Sequence, residues 1–196
     1  EKVLACIAFQ VLWGLAYLKH EKRVHRDIKP PNILINSEGQ VKLTDFGISK
    51  SLQNSLMCAT FVGSFKYMAP ERMLHSRYDY SADIWSLGIV LQELALGKYP
   101  YPESSSAIGY VHIVTDGDAP QLPPGKFSPE FEDFMSHMVV KDSEDRLAAD
   151  VLLGAPWLLR NGAESIDASE RIVRAWLVEK GLSKRKRGGG DEEAKK

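Results

Sequence analysis

The sequence predicts a mainly helical protein, α+β overall, with a single small β-hairpin. Two runs, Val3 to Leu18 and Ser81 to Leu96, are apolar on nearly every side, as interior helices are. Between them, two short β-type runs flank a Ser-Glu-Gly turn signal. Beyond residue 100, apolar residues recur at helical spacing. With 196 residues and 44% hydrophobic content, the chain has enough apolar material for a core of its own.

The first helix spans residues 1 to about 20, with Val3, Leu4, Ile7, Ala8, Val11, Leu12, Leu15 and Leu18 distributed around it. Pro30 and Pro31 forbid its continuation, since neither has a backbone N–H and each restricts the residue before it. Ile33-Leu34-Ile35 and Val41-Lys42-Leu43, joined through Ser37-Glu38-Gly39, form the hairpin. Phe46 to Pro70 shows no sustained period; a loop of that length in a compact domain is usually functional or disordered. The second interior helix is expected to be capped by Ser81 and stopped by Gly97, with Pro100 beyond. Amphipathic helices follow near 104–115, 128–140 and 147–153. Asp167 and Glu170 have capping-box spacing before a helix with Ile172, Val173, Trp176 and Leu177 on one face. From Ser183 onward the chain is charged, glycine-rich and expected to be disordered.

A net charge of −1 gives no basic field of the kind that nucleic-acid or membrane-surface binders carry, so neither partner is expected. The run from Val3 to Leu18 contains Gln10, lies between Lys2 and Lys19, and falls short of the ~20 residues of a membrane span. No signal peptide is legible. Cys6 and Cys58 form no zinc or disulfide framework and read as reduced thiols. That fits a cytoplasmic protein, with the nucleus as the alternative. The five histidines have no metal-ligand spacing. Residue 1 is Glu, so the expectation is a piece of a longer protein.

The chemistry concentrates in residues 25–32, His-Arg-Asp-Ile-Lys-Pro-Pro-Asn, and in Asp45-Phe46-Gly47. Asp27, Lys29, Asn32 and Asp45 are phosphate- or metal-competent and lie in one short stretch between apolar runs. Oxygen ligands of this kind suit Mg²⁺, which takes one or two carboxylates together with substrate phosphates. Phosphoryl transfer needs positioning and charge neutralisation more than covalent help from the protein.

These motifs resemble those of eukaryotic protein kinases. The likeness runs from residue 1 to about 160 and covers the large C-terminal lobe, with the hairpin beside the catalytic loop. Ala69-Pro70-Glu71 resembles the end of an activation segment, and Asp83-Ile84-Trp85-Ser86-Leu87-Gly88 the central helix of that lobe. The finer resemblance is to MAP kinase kinases. It rests on Phe61-Val62-Gly63-Ser64, on Tyr67 through Arg72 and on Glu93 through Pro100, with Ser64 where those kinases carry Thr.

The resemblance implies ATP and Mg²⁺ as cofactors. Asp27 would orient the attacking hydroxyl and take its proton; Lys29 would meet the transferred phosphate; Asn32 and Asp45 would hold the metal. Supporting roles fall on His25, Arg26, Phe46 and Gly47. Asp83 would accept from the backbone near His25 and Arg26, and Glu71 would pair with a buried Arg146. Thr60 and Ser55 would be the activating phosphosites, a phosphate at Thr60 pairing with Arg26. The substrate would be a MAP kinase phosphorylated on Ser/Thr and Tyr, and the activator an upstream kinase. No glycine-rich loop or strand lysine precedes residue 25, so the β-rich N-terminal lobe is absent from the sequence and the chain alone is expected to be inactive. Residues 1–160 would form the partial kinase domain, 161–182 a helical extension and 183–196 the tail. Two alternatives are a non-catalytic lobe that binds kinases or substrates, and a serine/threonine kinase of another branch.

Overall fold

The computed structural model describes residues 1–45, 65–74, 76, 79–104 and 106–183. Helix α1, Lys2–His20, opens the chain and leads through a loop into a 3₁₀ turn, Pro30–Asn32. Strands β1 (Ile33–Ile35) and β2 (Val41–Leu43) pair antiparallel in the register Ile33↔Leu43, Leu34↔Lys42, Ile35↔Val41. Helices α2 (Pro70–Met73), α3 (Ser81–Leu96), α4 (Ala107–Thr115), α5 (Pro129–Ser136), α6 (Ala149–Leu152), α7 (Pro156–Arg160) and α8 (Ile166–Glu179) complete the described chain.

Helix α3 is the axis of the core: every residue from Ala82 to Gln92 is buried, as its continuous apolar pattern requires. Gly88 on this helix meets the 138–139 segment so closely that a Cβ would stand 2.5 Å from Val139 Cγ2. Gly97 ends the helix in the left-handed conformation, φ 70°, its N–H donating to the Glu93 carbonyl. The start differs from expectation. Ser81 is the first helical residue, and its N–H donates to Asp79 Oδ1 at 2.8 Å, so the acceptor that covers the end lies two residues upstream.

Helix α1 is less enclosed than its composition suggests. Ala5 to Leu12 are buried, whereas Trp13 and Tyr17 are more than half exposed. By length and composition α1 could cross a membrane; here it packs on β2, α3, α6, α7 and α8. Helix α8 begins two residues earlier than the Asp167/Glu170 spacing implied, because Ser165 caps it, accepting from the Ala168 N–H at 3.1 Å. Its Val173 and Leu177 are buried and its Ile172 and Trp176 pack on the core, so the expected face is the one that docks. The tail from 184 onward lies outside the described residues.

Candidate active site

The polar loop between α1 and β1 is organised by one buried carboxylate. Asp83, in the first turn of α3 and 3% exposed, accepts from the backbone N–H of His25 at 2.7 Å and of Arg26 at 2.8 Å. A buried carboxylate requires such donors in place of water. Burial pushes its pKa up to about 6, and the Arg26 and His25 N–H donors and the charges of Arg72 and Arg26 oppose that rise.

Arg26 itself has φ 72°, a left-handed backbone rarely adopted by a side-chain-bearing residue. Such residues cost on the order of 1–3 kcal/mol and persist only where their surroundings over-determine them. Here the surroundings do so from both sides. Asp83 holds the Arg26 N–H, and the buried Arg72 guanidinium donates to the Arg26 carbonyl.

His25 is buried within the loop, and its Nδ1 accepts from the Asp27 N–H at 3.3 Å. Burial lowers the imidazole pKa, while Asp27, the Thr44 backbone and Asp45 pull it upward. The ring is therefore neutral at pH 7 and lies within electrostatic reach of both acidic residues.

Asn32 closes the 3₁₀ turn and is 4% exposed. Its Nδ2 donates to the Asp27 carbonyl at 2.7 Å and to Asp27 Oδ2 at 2.9 Å. Lys29 Nζ lies 2.8 Å from that same Oδ2. A partly solvated pair of this kind adds little stability, on the order of 1 kcal/mol, so its importance is positional. Both Nδ2 hydrogens of Asn32 are committed, which leaves its Oδ1 as the atom suited to a cation. The Thr44 N–H donates to the Asn32 carbonyl at 3.0 Å, extending the hairpin pairing past Ile33↔Leu43. Asn32 and Asp45 thus both lie at the open end of the hairpin. Asp45 is exposed and also left-handed, φ 60°.

This donor set fits Mg²⁺ in the way that ion binds beside phosphates. Among the described residues no three His, Cys, Asp or Glu side chains form a self-contained cage. An amide oxygen and a carboxylate are what a Mg²⁺ taking the rest of its shell from phosphate and water requires.

Glu71 and Arg146 lie apart from this cluster and form a bidentate pair, 2.6 and 2.9 Å, with the Arg146 side chain fully buried. Arg146 also donates to the carbonyls of Val140, Lys141 and Ser81, and its guanidinium stacks 5.0 Å from the Trp85 ring centre. Phe46, Gly47, Ser55, Cys58, Thr60 and Ser64 lie outside the described residues.

Sequence reasoning overlooked two participants. Arg72 was the available clue to the strained loop, a cation directly after Ala69-Pro70-Glu71 in an otherwise apolar segment. Gln10, buried on α1, was read only as an interruption of an apolar run. Leu34, two residues beyond Asn32, is 52% exposed. A further surface feature is a cleft of about 600 Å³ between α1, β2 and α8, lined by Trp13, Tyr17, Leu43 and Ile166 among others.

Comparison with known proteins bears on this geometry. The protein kinase domain family matches residues 1–158. The chain belongs to that family. Mitogen-activated protein kinase kinase SIPKK of Nicotiana tabacum is 48% identical over 183 residues, covering 89% of this chain and 51% of the relative. Mitogen-activated protein kinase kinase 1 of Arabidopsis thaliana is 48% identical over 161 residues, covering 78% and 46%. MAP kinase kinase skh1/pek1 of Schizosaccharomyces pombe is 42% identical over 183 residues, covering 90% and 50%. Within the kinase family this chain is most similar to MAP kinase kinases, and it spans about half the length, or less, of these relatives.

Proposed function

We propose that this chain supplies the catalytic half of an ATP- and Mg²⁺-dependent protein kinase of the MAP kinase kinase type. The observation that carries the reading is the convergence of Lys29 and Asn32 on one oxygen of Asp27, with Asp45 delivered beside Asn32 by the hairpin. With Oδ2 tied to Lys29 and Asn32, Asp27 Oδ1 is the oxygen that orients a substrate hydroxyl and takes its proton. Lys29 meets the transferred phosphate once substrate draws it from Asp27. Asn32 Oδ1 and the Asp45 carboxylate would hold the metal, which when bound would neutralise charge on the ATP phosphates.

The names of the relatives support a MAP kinase as substrate and an upstream kinase as activator. Thr60 and Ser55 are the proposed sites of that activation, and the cytoplasm the proposed location. The isolated chain binds ATP·Mg²⁺ weakly and transfers phosphate negligibly, because the glycine-rich loop and strand lysine of a kinase are not in its sequence.

Transfer of radiolabelled γ-phosphate to a catalytically dead MAP kinase, by the full-length kinase that contains these residues, tests the reading. Asp27→Ala should lower turnover by about 10²–10⁴-fold with little change in substrate KM. Turnover within about twofold of wild type would discard Asp27 as the base.

A further inference from the structure

We infer that Gln10, together with α8, is a positioning element for the metal-holding end of the hairpin, an inference that rests on the function proposed above. The hairpin has an open end carrying Asn32 and Asp45 and a closed end at Ser37–Gly39, so whatever fixes the turn fixes the strands between them. Gln10 is 6% exposed, and its amide grips the turn on both sides. Its Nε2 donates to the Gly39 carbonyl at 3.1 Å, and its Oε1 accepts from the Val41 N–H at 2.9 Å.

Helix α8 closes the other side. Gly39, φ 83°, lies so near it that a Cβ would stand 2.2 Å from the Glu170 carbonyl and 2.6 Å from the Arg174 nitrogen. Arg174 pairs with Glu38 at 3.3 Å, and Ser183 Oγ donates to the Ser37 carbonyl at 3.2 Å. Each strand is only three residues long, too short to hold its own register against turn movement. The path from the clamp to the metal end is one β-ladder. Val41 is bonded to Gln10, Ile33 pairs with Leu43, and the Thr44 N–H meets the Asn32 carbonyl. The Gln10 amide bonds Cys6, Gly39 and Val41, none of them a site residue, and acts through this ladder.

The test titrates Mn²⁺ with ATP into the full-length kinase that contains these residues and reads paramagnetic broadening of the Thr44 and Asp45 amide resonances, well below the unfolding transition. Gln10→Leu keeps the bulk and removes both hydrogen bonds; Gly39→Ala pushes on α8. Each should raise the Mn²⁺ concentration for half-broadening about tenfold, the scale on which outer supports of a metal site act. Val114→Ala, a core truncation on α4, should leave it unchanged, and Asp45→Ala should abolish the broadening. Wild-type broadening in Gln10→Leu and Gly39→Ala, with loss in Asp45→Ala, overturns the positioning role and leaves the metal site standing. An equal loss in Val114→Ala overturns it too, by reducing it to general destabilisation. Unchanged broadening in Asp45→Ala overturns the metal assignment, and this inference with it.

Discussion

Replacing Glu71 with alanine would leave the fully buried Arg146 guanidinium without its bidentate partner, its remaining contacts being the carbonyls of Val140, Lys141 and Ser81 and the Trp85 ring. Breaking such a pair costs about 3–5 kcal/mol, so urea denaturation of Glu71→Ala should show a correspondingly lower midpoint. A loss under about 1 kcal/mol would mean the pair behaves as a solvated one. Asp83→Asn is a subtler change: an amide NH₂ would oppose one of the two backbone N–H donors, at a cost of about 1–3 kcal/mol. Its pH dependence has a definite sign. Because burial raises the folded carboxyl to about 6 from an ordinary 3.8, folding takes up a proton there. The stability margin of wild type over Asp83→Asn is therefore greatest at the acid end and narrows as pH rises toward 6, levelling off above. Denaturation curves in which the margin widens with pH across that window would contradict the burial of the acid.

Elements were legible where pattern and chemistry agreed locally. Helix α3 kept its sequence bounds because eleven successive buried residues and a left-handed Gly97 leave no other conformation. The hairpin was equally plain from its β-type runs and turn. Helix α7 was not, since five residues after Gly154 and Pro156 are too few to show a period. The caps misled by two residues each: acidic side chains suggested Asp167 as a start, whereas the geometry chose Ser165. Site residues in the 25–32 stretch announce themselves by type, but their supports act across the chain. Asp83 lies 58 residues from His25, and Gln10 lies 31 from Val41, distances over which local pattern carries no information. Close element packing gives its own test. Gly88→Ala would force a methyl against Val139 and should cost about 1–3 kcal/mol as overpacking, seen as a lower melting temperature. A neutral or stabilising result, as helix propensity alone would favour, would show that the 138–139 segment yields.

At the scale of the whole molecule, α8 is no appendage: it packs along α1, seals the hairpin turn and buries Val173 and Leu177 in the common core. The same body leaves Trp13 and Tyr17 each more than half exposed along the cleft between α1, β2 and α8. Apolar surface grouped in this way favours association, so the purified 196-residue chain should self-associate with rising concentration in light scattering. Trp13→Lys should reduce that association, and a monomer at all concentrations would show these residues too scattered to form a patch. The central claim is that Asn32 and Asp45 share one ion beside a triphosphate. The most direct measurement is a crystal structure with Mn²⁺ and a non-hydrolysable ATP analogue, the ion located by its anomalous signal. The account predicts a peak about 2.1 Å from both Asn32 Oδ1 and an Asp45 carboxylate oxygen. A peak held by phosphates alone, with either side chain turned away, would contradict it.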